Sequence, residues 1–181
     1  MMGAIDWQAE IERAKERVAN GEKPERHPWT PQETWDAMHR GSPEAAEAVA
    51  ARMHDFERLS LALHLMSEGV ASEAVRVVFD GGITQTHCFR SLTAVELNDL
   101  MRWAAAPLPP LQSPVTIFRG GPSADGISWT LSRDVACEFA ERWKQADPKS
   151  RVFSRRVSVK RIAYYTNSRE EQEVILWQNE V

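Results

Sequence analysis

The sequence predicts an α+β fold, in which a helical N-terminal part packs on a compact core of mixed β-strands. Helix start signals and apolar residues at three- and four-residue steps dominate the first hundred residues. After the proline-rich stretch 107–110, short β-branched and aromatic runs surround one amphipathic helix. Helices followed by strands are typical of α+β proteins. We therefore divide the chain into a mainly helical region, 1–110, and a strand-rich core, 111–181, within one domain or two.

Composition limits the classes of function. The chain has 181 residues and a net charge of −4, which disfavours a general affinity for nucleic acid but leaves room for a local basic patch. It shows neither a signal-peptide pattern nor an apolar run near the ~18 residues that span a bilayer. We expect a cytoplasmic protein with no membrane partner, although secretion or injection without a signal stays open. Cys88 and Cys137 indicate no disulfide framework.

The N-terminal helices are predicted from their start and stop signals. A charged stretch, 6–19, ends at Asn-Gly, and capping patterns then open helices at 30–33 and at 42–44. The second of these is expected to run to Ser67, with Phe56, Leu59, Leu63 and Met66 forming one apolar face. A third capping pattern at Thr93 starts a helix that the prolines stop near residue 106.

The C-terminal elements are predicted from the change of period. Alternating or β-branched runs predict five strands, and an apolar line through Val135, Phe139 and Trp143 predicts one helix between them. The expected strands are 115–119, 128–130, 151–159, 162–166 and 173–177, and the expected helix is 132–144.

Three short elements of this region carry candidate chemistry. They are Phe118-Arg119-Gly120, Ser128-Trp129-Thr130 and Glu171-Gln172-Glu173. Taken singly, each is more often a salt-bridged strand end, a half-buried strand or a charged loop. Their order along the chain favours a shared site.

That order resembles the arginine, serine-threonine-serine and Glu-x-Glu signature of the mono-ADP-ribosyltransferase superfamily, in its arginine-serine-glutamate branch. The resemblance covers about 115–177, a third of the chain. It implies NAD as substrate and an ADP-ribosyltransferase-like core. The C-terminus follows Glu173 closely and Trp129 stands where small polar residues are commoner, and these are departures from the family pattern.

The resemblance also implies a role for each residue. Glu173 would stabilise the cationic ribose, and Glu171 would orient or deprotonate the acceptor. Alternation on a strand would turn both carboxylates to one face. Arg119, with Gly120 beside it, would anchor the dinucleotide, and Ser128 would position the catalytic carboxylate. The remaining NAD-binding candidates are Thr130, Trp129 and Phe139. For Trp129 we expect a packing role ahead of a ligand contact. Phe139 would either stack on nicotinamide or join the core.

The predicted activity is transfer of ADP-ribose from NAD to a macromolecular acceptor, with protein arginine favoured by the resemblance and nucleic acid not favoured. Such enzymes include bacterial toxins, effectors and phage modifiers of host proteins. One alternative is a toxin that mainly hydrolyses NAD with the same residues, and another is a non-catalytic NAD-binding module. The helical region would recognise the target, hold a partner or inhibitor, or complete the core.

Two further groups of side chains bear on function. The five histidines show no metal-ligand spacing, so we expect no metal. One basic cluster stands near the proposed cleft, either as a solvated strand edge or as a docking surface for an acidic target or nucleic acid. Its members are Lys149, Arg151, Arg155, Arg156, Lys160 and Arg161.

Overall fold

A computed structural model describes residues 16–17, 20–83, 92–105, 107–167 and 169–178, except for the side chains of residues 55 and 56. The chain divides into two compact units, with the division between Ala104 and Ala105. The predicted α+β class is confirmed. Most of the helix expected at 6–19 lies outside the described residues, as do His87 and Cys88.

The first unit is helical. Its described helices are α1 Gln32–His39, α2 Pro43–Ala50, α3 Asp55–Ser67, α4 Ser72–Ile83 and α5 Ala94–Trp103. The predicted caps at Ser42 and Thr93 are confirmed, because each side chain accepts a main-chain N–H three residues on, from Ala45 and Glu96 respectively, at 3.2 Å. The cap predicted at Thr30 is wrong, since α1 begins after Pro31 without a side-chain cap.

The single helix expected from Ser42 to Ser67 is in fact two. Tight turns close α2, and Arg58 Nε donates to the main-chain oxygen of Ala50 at 2.8 Å. His54 is extended, and its N–H donates to Glu57 Oε2 at 3.1 Å, which starts α3. The buried face of α3 also differs from the predicted stripe. It centres on Leu59, Leu61, Ala62 and Leu65, whereas Leu63 and Met66 are half-buried, because α3 packs against both α4 and α5.

The second unit is a five-stranded sheet with one helix. Its elements are β1 Val115–Gly121, β2 Ser128–Thr130, α6 Arg133–Lys144, β3 Arg151–Val157, a 3₁₀ turn Val159–Arg161, β4 Ile162–Thr166 and β5 Glu173–Leu176. The strand order is β3-β1-β2-β5-β4, and every pair in the sheet is antiparallel rather than mixed as predicted.

The two faces of this sheet are occupied differently. One face carries a core that includes Ile117, Trp129, Val174 and Leu176. The other face receives α6, because a Cβ built on Gly120 would lie 2.5 Å from the main-chain nitrogen of Ala140. We call these the core face and the α6 face. Helix α6 buries Ala136 and Ala140, not the predicted line, whose member Trp143 is 45% exposed. Small residues allow the close approach.

Candidate functional site

The candidate site is centred on a serine and a glutamate from neighbouring strands. In the pairing of β2 with β5, Ser128 lies opposite Ile175 and Thr130 lies opposite Glu173. Opposite residues share a face, and so do residues two apart, which places Ser128, Thr130 and Glu173 together on the α6 face. Ser128 Oγ donates a hydrogen bond to Glu173 Oε1. The structure therefore joins two of the predicted catalytic residues directly.

Glu173 is a buried acid, with 7% of its surface exposed. It begins β5, a strand whose other three residues, Val174, Ile175 and Leu176, are all buried and apolar. Strong packing of those neighbours fixes the strand, and a charge-assisted hydrogen bond from Ser128 fixes the carboxylate. A negative charge held in a largely dry place acts on nearby positive charge more strongly than it would in water.

Arg119 approaches this pair from β1. Its Nη1 donates to the main-chain oxygen of Ser128 at 2.6 Å, and its Nε donates to the main-chain oxygen of Ser123 at 3.3 Å. Alternation along β1 puts Arg119 on the same side as Ile117, the core face, whereas the side chains of Ser128 and Glu173 are on the α6 face. The guanidinium is nevertheless bound to the main chain of the serine that holds Glu173.

Arg119 is partly buried, with two acids near it and a loop packed against its guanidinium. Burial lowers the pKa of Arg119, while the negative charges of Glu173 and Asp125 raise it. A Cβ built on Gly126 would lie 2.6 Å from Arg119 Cζ, so a larger residue there would displace the guanidinium from this position. Arg119 remains a cation at any working pH, since an arginine keeps its proton in proteins. Glu173 lies near enough to sense that charge.

Glu171 is not on β5, and the expectation that it shares a strand face with Glu173 is wrong. The strand begins at Glu173. Gln172, between the two acids, has φ 47°, and Glu170 has φ 60°, both in the left-handed region that side chains rarely adopt. The two-residue alternation of a strand therefore does not apply, and Glu171 lies half-exposed in the turn before β5.

This turn is fixed by hydrogen bonds to the strand beside it. Thr130 Oγ1 donates to the main-chain oxygen of Glu171 at 2.5 Å, and the Leu131 N–H donates to that of Gln172 at 3.0 Å. The Gln172 N–H donates to Asn167 Oδ1 at 3.0 Å. Thr130, a predicted NAD-binding residue, is only 6% exposed. In the structure its hydroxyl holds the main chain of Glu171.

Trp129 lies in the core face, 3% exposed. Its Nε1 donates to the main-chain oxygen of Gly126 at 2.8 Å, which satisfies the indole N–H and ties the β1–β2 loop to β2. It therefore faces away from Ser128 and Glu173, and its role in the structure is packing.

Phe139 and Gly120 meet where α6 crosses β1. A Cβ on Gly120 would lie 2.8 Å from Phe139 Cβ, so Gly120 allows the helix to sit close to the strand. Phe139 is half-buried, and Arg142 Cζ lies 4.5 Å from its ring centroid. A shallow surface groove is lined by Phe139, Arg142, Trp143, Gln145 and Ala146. Phe139 is thus on the α6 face, the face that carries Ser128 and Glu173.

Sequence reasoning overlooked three residues that build this site. Gly126 lies against the Arg119 guanidinium. Asp125 is one of two acids that raise the pKa of Arg119. Asn167 holds Gln172 in its left-handed conformation. The only sequence signal for them is composition typical of turns, which does not distinguish a site from any other loop.

Among the described residues, no group of three or more His, Cys, Asp and Glu side chains has the arrangement of a metal site. Within the same residues, no helix is both long enough and apolar enough to cross a membrane. Comparison with protein-family models, with curated proteins and with solved structures found no match.

Proposed function

We propose that this protein is a mono-ADP-ribosyltransferase that moves ADP-ribose from NAD to a macromolecular acceptor, with protein arginine favoured. The observation that carries the proposal is the hydrogen bond from Ser128 Oγ to the buried carboxylate of Glu173, with Arg119 bound to the backbone of that serine. The arginine, serine and glutamate are the residues of the family signature that this chain resembles. Ser128 contacts both of the others, Arg119 through its main-chain oxygen and Glu173 through its hydroxyl, and these contacts support reading the three as one site.

The proposed reaction needs a carboxylate of this kind. The bond between ribose C1′ and the nicotinamide nitrogen breaks, and its electron pair leaves with nicotinamide, which becomes neutral. The ribose then carries positive charge, as a sugar does in glycoside hydrolysis. Glu173, fixed by Ser128, would stabilise that charge where it develops. The acceptor nitrogen then forms the new bond to C1′ and loses a proton.

Arg119 would act beside this centre as a fixed cation. Two of its nitrogens are engaged with main-chain oxygens, and the planar guanidinium is thereby held in one orientation. A held guanidinium suits the diphosphate of NAD, because less rotamer freedom is lost on binding. In this proposal Arg119 contributes to NAD binding and Glu173 contributes to turnover.

The test is nicotinamide release from NAD by the purified chain, with Glu173→Gln beside the wild type, and with and without a cell lysate as acceptor. We expect Glu173→Gln to lower turnover by about 100-fold or more with little change in NAD affinity, since it removes an interaction made mainly in the transition state. The matched control is Glu170→Gln, which removes an exposed acid three residues away.

Equal losses in the two variants would refute the assignment of Glu173. A folded protein that binds NAD in calorimetry and releases no nicotinamide would instead be a non-catalytic NAD-binding module. Release that depends on Glu173 and rises with lysate would support a transferase.

One observation favours a second function, hydrolysis of NAD by the same site. The residue that would handle the acceptor, Glu171, lies in the turn before β5 and not on the strand face of Glu173. Water needs no such residue to reach the ribose cation. Glu171→Gln should lower acceptor labelling more than nicotinamide release if the protein is a transferase. Release that is insensitive to lysate and to Glu171→Gln would indicate a glycohydrolase.

A further inference from the structure

The edge strand β3 and the turn that follows it carry a concentration of positive charge. The segment 149–161 contains six Lys and Arg residues and no Asp or Glu, in a chain whose net charge is −4. We call these residues the basic strip: Lys149, Arg151, Arg155, Arg156, Lys160 and Arg161. All six are exposed.

Three members of the strip, Arg151, Arg155 and Arg156, lie on the edge strand β3, whereas Lys160 and Arg161 lie in the turn that leads to β4. In the described sheet, β3 is paired with β1 on one side and with no other strand. Along β3, Arg151, Phe153 and Arg155 alternate to one side, opposite to Val152. Val152 pairs with Gly120, the residue against which α6 packs. Arg151 and Arg155 are therefore on the core face, turned away from α6 and from its acidic residues.

Two of these arginines are held against aromatic rings. Arg151 Cζ lies 5.0 Å from the centroid of Phe153, and Arg155 Cζ lies 5.1 Å from that of Trp129. A guanidinium stacked on a ring keeps its planar fork of N–H donors and loses little further rotamer freedom when it binds an anion. The nearest acid in sequence, Asp147, already accepts the Lys149 main-chain N–H at 2.9 Å.

We propose that the basic strip is a binding surface for nucleic acid, contacted through its phosphate backbone. Exposed arginines with rigid forks match a chain of phosphates, which a nucleic acid presents at regular short spacing. Lysine is the residue that commonly protects an exposed sheet edge from aggregation. The cations of β3 are instead all arginine, whose planar fork also suits phosphate. The inference does not rest on the proposed NAD chemistry.

The available aromatic groups limit the mode of binding. Trp129 is 3% exposed and covered by Arg155, and Phe153 is half-buried beneath Arg151, so neither offers a free ring on which a base would stack. Binding is therefore dominated by phosphate contacts and tolerant of sequence.

The test is fluorescence anisotropy with the full chain, without NAD, and a labelled DNA duplex of about 20 base pairs or an RNA of about 20 nucleotides, between about 50 and 200 mM salt. The strip variant is Arg151→Gln/Arg155→Gln/Arg156→Gln. The control, Arg40→Gln/Arg52→Gln/Arg102→Gln, makes the same change of charge at exposed positions of the helical unit.

We expect the strip variant to bind at least about tenfold more weakly at the lowest salt concentration, and the control to change by less than about twofold. With duplex DNA, the slope of log affinity against log salt should fall by about 0.9 for each phosphate that the variant no longer neutralises. A second variant, Arg151→Lys/Arg155→Lys/Arg156→Lys, keeps the charge and loses the planar forks, so it should bind more weakly than the wild type with an unchanged salt slope. This loss of affinity is the readout where the glutamine variant fails to fold, and an affinity equal to that of the wild type would then overturn the inference.

Three other outcomes would overturn the inference. They are no binding by the wild type at the lowest salt concentration, equal losses of affinity in the strip variant and the control, and competition by polyglutamate as effective as that by DNA at equal charge. The last outcome would indicate an acidic protein partner.

Discussion

The contact between β1 and α6 gives a perturbation whose size follows from the structure. A methyl group added at Gly120 would lie 2.5 Å from the main-chain nitrogen of Ala140 and 2.8 Å from Phe139 Cβ, with the main-chain oxygen of Ala136 closer still. Carbon atoms pack at about 3.5–4.0 Å, so the helix must move outward by about 1 Å or more. We expect Gly120→Ala to lower the free energy of unfolding of the sheet unit by about 3 kcal/mol, at the upper end for an overpacked core.

The measurement is urea denaturation followed by hydrogen–deuterium exchange in peptides from 115–177, which reports this unit separately from the helices. Thr116→Ala, an exposed position on the same strand, is the control and should cost about 0.5 kcal/mol or less. Adding Ala140→Gly should not rescue Gly120→Ala, because the clash is with the helix backbone. A loss below about 0.5 kcal/mol for Gly120→Ala would show that α6 does not sit close to β1.

Three further predictions concern the site and the helical unit. Thr130→Val removes the hydrogen bond to the Glu171 main chain and should lower the free energy of unfolding by about 1–3 kcal/mol. An unchanged denaturation midpoint would contradict the contact. Arg119→Lys keeps the charge but loses the fork that binds the Ser128 and Ser123 oxygens, so NAD affinity measured by calorimetry should fall. Burial lowers the pKa of His64, aided by Lys23 and His39 and opposed by Glu68, so the folded helical unit binds fewer protons than the unfolded chain. The stability that neutral His64 contributes is therefore fully present above the ordinary histidine pKa of about 6.5 and is lost as pH falls below it. His64→Gln should reduce the difference in the free energy of unfolding between about pH 7.5 and 5.5, measured by denaturation.

Much of the second unit could be predicted because its signals are local. The strands 128–130 and 162–166 agree with the predicted bounds, and Ser132 caps the predicted helix by accepting the Val135 N–H at 3.3 Å. These elements depend on alternation and on capping side chains, both of which are visible in a short window of sequence.

The features that the sequence did not predict depend on contacts between residues far apart in the chain. The break between α2 and α3 is stabilised by Arg58, which also donates to the main-chain oxygen of Gly81 in α4, and no local pattern shows this. The buried face of α6 falls on Ala136 and Ala140 because Gly120 admits a close helix, although Val135, Phe139 and Trp143 are the larger apolar residues. The turn at Glu171 likewise depends on Thr130 and Asn167, which lie on other segments.

Trp129 explains how the serine and the glutamate come to face each other. Strand β2 is only three residues long, so its register against β5 has few determinants. A slip of one residue would turn Ser128 and Thr130 into the core face and bring Trp129 out, exposing a ring now 3% exposed. Burial of a large side chain is worth about 2–3 kcal/mol, which opposes that slip. Trp129 thus fixes, from the opposite face, the register in which Ser128 reaches Glu173.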